Sequence, residues 1–180
     1  MNSVILTGPK HSGKTWTGKA LASLCLCDFI DLDELILQRT GMSPRQLYSQ
    51  DINDFRKAEA QAIEALFNIN NDLQQPRVIA AGGGIIDNPE AVVIIKNSGT
   101  AVIFLNISAD CAWERIANCA EGEMPVFLRT ENPRETHRAI HERRAAAYLQ
   151  LAGFTVNVDG KSPEETAAEC MSLLVSEPVR

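Results

Sequence analysis

An open α/β sandwich, with one parallel sheet covered by helices, is the fold class that three features of the sequence predict. Five short strand-like runs recur along the 180 residues, at about 3–7, 28–31, 77–81, 100–105 and 154–158, reading SVILT, DFID, RVIAA, TAVIFL and FTVNV. Longer helix-compatible segments separate them, so strands and helices alternate, which is the order of a three-layer fold with a five-stranded parallel sheet. The runs are short and apolar, as strands buried on both faces are.

Each element in turn carries its own signals. The first run ends at Gly8 in a glycine-bounded loop, and a helix-like stretch follows it. After the second run, the region from about 32 to 65 reads as helical. Within it, Ser43-Pro44 offers an N-cap followed by proline at the first helical position. The segment DFRKAEAQAIEALF is amphipathic, with Phe55, Ala62, Ile63, Leu66 and Phe67 on its apolar side and Glu59 spaced to hold Arg56 as an i,i+3 pair. The third run leads straight into Gly82-Gly83-Gly84. Three glycines in a row cost conformational entropy unless backbone approaches something closely or adopts positive φ; a mobile turn is the alternative. Between Cys119 and Asn132 lies CAEGEMPVFLRTEN, with glycine, proline and charges but no clear period. A loop of that length in a compact domain is often a lid or binding loop, here about 117–133. Asn132-Pro133 opens a long helix to about 151, and Ser162-Pro163-Glu164-Glu165 opens the last one with acidic residues in its first turn.

Composition narrows the function. With 45% hydrophobic residues the chain can bury one sizeable core, so residues 1–180 are expected to form a single domain. A formal net charge of −6 argues against a nucleic-acid partner. No run reaches the length of a membrane span, and no secretory signal is recognisable. Five cysteines without such a signal read as reduced thiols in a cytoplasmic protein. Cys25 and Cys27 form a Cys-x-Cys pair, but His11, His137 and His141 give it no metal-site spacing, so these thiols read as small buried hydrophobes.

Gly8-Pro9-Lys10-His11-Ser12-Gly13-Lys14-Thr15 satisfies G-x-x-x-x-G-K-[ST]. Strand before, helix after and an α/β setting are the context that gives this pattern meaning. Glycines let successive N–H groups converge on phosphate oxygens, and the helix adds the positive end of its dipole. Lys14 reaches β- and γ-phosphates and the Thr15 hydroxyl ligates Mg²⁺, so the loop is read as holding ATP or GTP. Asp31 and Asp33 stand two apart at the carboxyl end of the second strand, where ligands bind in open α/β sheets. One carboxylate suits a contact with Mg²⁺ and the other can accept a proton from an attacking hydroxyl. Capping of the following helix accounts for one of them equally well.

Taken in order and spacing, the phosphate loop, Asp31-x-Asp33, Phe55-Arg56 with Glu59, and the Gly82–Gly84 turn resemble the shikimate kinase family. The resemblance runs on through the lid to VDGKSPEET at 158–166, covering nearly the whole chain. It implies a P-loop NTPase fold of the nucleoside-monophosphate-kinase type, ATP and Mg²⁺ as cofactors, and phosphorylation of the 3-hydroxyl of shikimate by what is typically a monomer. By the same resemblance, Asp33 is the general base and Asp31 helps organise Mg²⁺ with Thr15. Arg56 and Arg144 clamp the shikimate carboxylate, and backbone at Gly82, Gly83 and Gly84 contacts the ring hydroxyls. Arg144 is selected over Arg143 because the family carries arginine four residues before tyrosine, here Tyr148; Arg143 then reads as a solvated helix face. Arg115 matches an arginine that packs along adenine, and the loop from Asp159 to Pro163 matches the opposite wall.

The pattern breaks in the lid. Where the family has arginine before the lid proline, Pro125, this chain has Met124. A positive group aimed at the transferring phosphoryl is ordinarily a large contributor to rate. Arg129, five residues on, is the candidate to replace it as a catalytic residue. Two other readings stay in view: a related kinase acting on gluconate or a nucleoside monophosphate, and a non-catalytic nucleotide- or ligand-binding regulator.

Overall fold

The computed structural model describes residues 2–67, 75–118 and 128–176. Five strands form one sheet: β1 (Val4–Thr7), β2 (Asp28–Asp31), β3 (Arg77–Ala80), β4 (Ala101–Asn106) and β5 (Phe154–Asn157). All pairings are parallel and the order is β2-β3-β1-β4-β5. The helices are α1 (Lys14–Cys25), α2 (Leu32–Thr40), α3 (Pro44–Gln50), α4 (Ile52–Phe67), α5 (Pro89–Asn97), α6 (Ala109–Ala117), α7 (Pro133–Leu151) and α8 (Pro163–Ser176), with a 3-10 turn at Ile85–Asp87. The strands fall where the apolar runs predict them, within a residue or so at each end.

Alternate side chains of the inner strands β1, β3 and β4 feed opposite cores, which is why those runs are almost wholly apolar, whereas the edge strands β2 and β5 carry polar residues at exposed positions. Val4, Leu6, Val78 and Ile103 pack on one side with Leu21 of α1 and Ala167 and Cys170 of α8. Ile5, Ile79 and Val102 pack on the other with Ile36 of α2, Ile63 of α4 and Ile95 of α5. All these side chains are buried. Strand β1 sits at the centre, between β3 and β4. Its chain leaves towards β2, past β3, whereas the chain leaving β3 crosses to β4 on the far side of β1. That reversal opens a crevice at the carboxyl ends of the strands, the ligand position in folds of this kind.

Capping explains most helix starts. Ser43 and Gln46 form a reciprocal capping box before α3. Ser162 accepts from Glu165 N while the Glu165 carboxylate accepts from Ser162 N, doing the same for α8. The Asn132 cap does not form. Its backbone lies at φ −123°, ψ 75°, away from the extended geometry of Ser43, and its side chain makes no capping bond, so Pro133 alone marks the start of α7. Among the described residues, Cys25, Cys27, Cys111 and Cys170 are free thiols, and no helix is long and apolar enough to cross a membrane. Most of the predicted lid, including Met124 and Pro125, lies outside the described residues.

Candidate active site

The loop between β1 and α1 is held open by its glycines. A Cβ at Gly8 would stand 2.6 Å from the Leu105 carbonyl oxygen, and the residue sits at φ 145°, so no other residue fits. Gly13 caps α1 at φ 91° without a side-chain bond, and the first turn holds no acidic residue. The leading amides of α1 and their dipole therefore meet the loop with no side-chain anion of that turn to neutralise them. Lys14 folds back over the loop and donates to the carbonyls of Gly8 (3.0 Å) and Pro9 (2.9 Å). Burial lowers its pKa to about 8, although Asp33 and Asp31 pull the other way. An ammonium held at this cost gains most when phosphate arrives.

Asp31 caps the helix that follows it and also reaches the phosphate loop. Its Oδ2 accepts from the Thr15 hydroxyl (2.8 Å), and its Oδ1 accepts from Asp33 N (3.0 Å), capping α2. Asp33, in the first turn of α2, lies against the same cavity. Burial first and the Asp31 charge second raise its pKa, with Lys14 and Lys10 opposing. Desolvation thus makes Asp33 a stronger base than an exposed aspartate, as a proton acceptor at this position requires.

The triple glycine is there for close approach; none of the three has positive φ. A Cβ on Gly82 would lie 3.0 Å from Glu59 Oε1 and 3.3 Å from Asp33 Oδ1. One on Gly83 would lie 2.9 Å from Lys10 N, so the turn packs against the phosphate loop backbone to backbone. From α7, Arg144 Nη1 donates to the Gly83 carbonyl (3.3 Å) and so does the Tyr148 hydroxyl (2.6 Å). Tyr148 is itself stacked on Phe104 with ring centroids 5.0 Å apart. The tyrosine that selects Arg144 in the sequence also fixes the turn that Arg144 reaches.

A cavity of about 540 Å³ joins these parts; Lys14, Thr15, Asp31, Asp33, Gly82–Gly84 and Arg144 line it. Not every expected residue does. Arg56 is half-buried on α4 and is not among the lining residues, and the expected i,i+3 pair is replaced: Glu59 Oε2 accepts from Asn88 Nδ2 (2.9 Å), which also donates to the Arg56 carbonyl (2.7 Å). Glu59 is 1% exposed, its Oε1 has no hydrogen-bond partner, and burial raises its pKa to about 7. Arg143 is not simply solvated: it forks onto Asp87 at 2.8 and 3.1 Å. Arg115 donates to the His11 carbonyl (2.9 Å), resting on the phosphate loop outside the cavity, while Pro163 opens α8 away from the lining. Arg129 is exposed and is not a lining residue. Sequence reasoning missed Trp16, Arg45 and Tyr48 in the cavity wall. The Ser43-Pro44 helix start was the available signal for the last two, since it opens α3 and itself lines the same cavity.

A family model described as shikimate kinase matches residues 10–175. The chain belongs to the shikimate kinase family. The shikimate kinase of Streptococcus gordonii is 34% identical over 92% of this chain and 96% of its own length. That of Caldanaerobacter subterraneus is 31% identical over 94% of each. Among solved structures, the shikimate kinase of Aquifex aeolicus matches with a TM-score of 0.77 at 26% identity, covering 97% of this chain and 96% of that one. The Acinetobacter baumannii shikimate kinase in complex with shikimate reaches 0.86 at 24% identity, covering 100% and 96%, and shows the shared fold. A gluconokinase from Sinorhizobium meliloti shares that fold more loosely, with a TM-score of 0.61 at 19% identity over 97% and 92% of the two chains. Shikimate kinases are P-loop kinases that use ATP, which agrees with the loop of Gly8–Thr15 and the parallel sheet behind it.

Proposed function

We propose that this chain transfers the γ-phosphoryl group of ATP to the 3-hydroxyl of shikimate, giving shikimate 3-phosphate and ADP in the shikimate pathway. The observation that carries the reading is the single cavity lined jointly by the phosphate loop, Asp33, Gly82–Gly84 and Arg144. Shikimate bears one carboxylate and three ring hydroxyls, and those walls offer a guanidinium, a carboxylate and close backbone to match. Asp33 takes the proton as the acceptor oxygen attacks phosphorus and the bond to the ADP oxygen breaks. Lys14 leaves its two carbonyls for the β- and γ-phosphates and follows the charge that builds there; Gly8 to Thr15 supply loop amides. Arg144 binds the shikimate carboxylate, and Arg56 joins it by swinging in from α4 when the acceptor is bound. Arg115 and the loop to Pro163 take the adenine.

Thr15 and Asp31 supply hard oxygen donors suited to Mg²⁺, which keeps several waters and needs only one or two protein ligands. When bound, Mg²⁺ offsets phosphate charge and helps align the two terminal phosphates. The single kinase domain, with acceptor helices at about 32–65 and a lid at about 117–133, acts as a cytoplasmic monomer on a small-molecule substrate. Arg129 supplies positive charge from the lid in place of the residue at 124.

Coupled ADP release with ATP and Mg²⁺ tests the reading, comparing shikimate with gluconate, nucleoside monophosphates and no acceptor. Release that depends on shikimate is expected. Release with another acceptor only, or none despite ATP binding, would overturn it.

A further inference from the structure

The carboxylate of Asp87, at the end of the 3-10 turn, is the meeting point of two adjacent arginines. Its Oδ2 accepts from Arg144 Nε (2.9 Å), Arg144 Nη2 (2.6 Å) and Arg143 Nη2 (3.1 Å), and its Oδ1 accepts from Arg143 Nη1 (2.8 Å). Four donors from two arginines converge on this one carboxylate, three of them on Oδ2, which holds Asp87 in place. Its backbone N–H donates to the Gly84 carbonyl (2.8 Å), which ties it to the glycine turn whose Gly83 carbonyl takes Arg144 Nη1. Arg144 is therefore gripped from both ends of one short segment.

We propose that Asp87 is a positioning residue of the acceptor pocket: it fixes the guanidinium of Arg144 before substrate arrives, with Arg143 as the second cation on the same carboxylate. The inference rests on the reading of Arg144 as the group that binds the acceptor's acid. Geometry gives it content. With the Nε–Nη2 edge held by Asp87 and Nη1 on the Gly83 carbonyl, the guanidinium has one orientation in which to meet an acceptor carboxylate, and a long side chain that is already ordered loses less freedom on binding. Charge explains the second arginine. Arg144 and Asp87 alone would cancel, presenting an acid with no net attraction; Arg143 restores one positive charge to the cluster. The side chains are 14% exposed for Arg144, 23% for Asp87 and 60% for Arg143, so the exposed Arg143 pair adds little to stability. Its effect falls on the charge and order of the pocket.

Calorimetric titration of shikimate and, separately, of ATP into the full-length protein, with initial rates, tests the proposal on Asp87→Asn, Arg143→Ala and the double variant. Asp87→Asn should weaken shikimate binding by about tenfold, while ATP affinity is unchanged and turnover at saturation falls far less. Arg143→Ala should weaken the same affinity by about threefold, and the double variant should be no worse than Asp87→Asn, because both act through one guanidinium. Unchanged or tighter shikimate binding in Asp87→Asn would overturn the proposal, the tighter case making Asp87 a competitor of the substrate. The nitrogen-15 NMR signal of the Arg144 Nε–H in the ligand-free protein gives a second reading: it should be protected from exchange and lose protection in Asp87→Asn, and protection that persists counts against the proposal. Failure of the acceptor assignment looks different. Wild-type protein would then bind no shikimate, and the Nε–H signal would still decide whether Asp87 fixes Arg144.

Discussion

Glu59 is a residue whose charge state is set by its surroundings. It is 1% exposed, one oxygen is held by Asn88, the other has no partner, and its pKa rises to about 7 through burial, with Asp33 adding repulsion. Between its ordinary value of 4.5 and about 7 the folded protein therefore binds a proton that the unfolded chain releases. Stability must fall as pH rises through that window. At about 1.4 kcal/mol per decade, ionising Glu59 in place costs on the order of 3 kcal/mol by pH 8. Glu59→Gln, which mimics the neutral form, is expected to flatten this decline in urea melts between pH 5 and 8 and to exceed wild type in stability at the upper end. A decline of the same size in both proteins would place the titrating group elsewhere. Asp33 is read through rate instead. Asp33→Ala should abolish shikimate-dependent ADP release while ATP affinity changes less than threefold, as expected of a group that acts on the acceptor. The sequence disclosed Asp33 and Lys14 because their neighbours in the chain carry the pattern. Asn88 and Asp87 were hidden because their partners, Glu59, Arg143 and Arg144, come from distant helices.

At the scale of elements, the Gly82–Gly84 turn and helix α3 do the positioning. Gly83 faces the phosphate loop so closely that a methyl group would press on the Lys10 backbone at 2.9 Å. Backbone at that distance cannot give way as a flexible side chain does, so Gly83→Ala must displace either the turn or the loop. We expect turnover to fall at least tenfold with weaker ATP binding, measured as kcat and as the Kd for ATP; near-normal values for both would mean that the loop tolerates displacement. Helix α3 depends on its first residue. The capping box of Ser43 and Gln46 satisfies donors that no tertiary contact replaces, and loss of such a cap costs about 1 kcal/mol. Ser43→Ala should therefore lower stability by roughly that amount and raise the KM for shikimate more than that for ATP, because α3 carries Arg45 and Tyr48 in the cavity wall. Helix starts were legible where a serine and a proline coincide. Asn132 failed as a cap because its backbone conformation, which the sequence does not encode locally, keeps its side chain from the first turn.

Across the whole molecule, the sheet was legible because its inner strands β1, β3 and β4, buried on both faces, are short and almost wholly apolar and alternate with longer helix-compatible segments; the edge strands β2 and β5, which carry polar residues, were legible from that alternation. The cavity was less so. Its lining runs from Lys10 to Arg144 and draws on the phosphate loop, α2, α3, α4, the glycine turn and α7, segments far apart in the chain that the fold brings to the carboxyl ends of the strands. One consequence is thermodynamic. Ligands that fill the cavity bridge elements with separate folding contacts, so they should stabilise the fold as a unit by mass action, about 2.7 kcal/mol for each ligand at a hundred times its Kd. For a chain of this size that corresponds to roughly 5–10 °C in Tm. ADP and shikimate together should raise Tm by more than the sum of their separate shifts, because Gly83 touches the phosphate loop on one side and carries the Arg144 contact on the other. Scanning calorimetry with ADP, shikimate, gluconate and the pairs would measure this. Additive shifts would mean that the turn transmits nothing between the two halves, and a shift with gluconate but not shikimate would assign the acceptor half of the cavity to a different substrate.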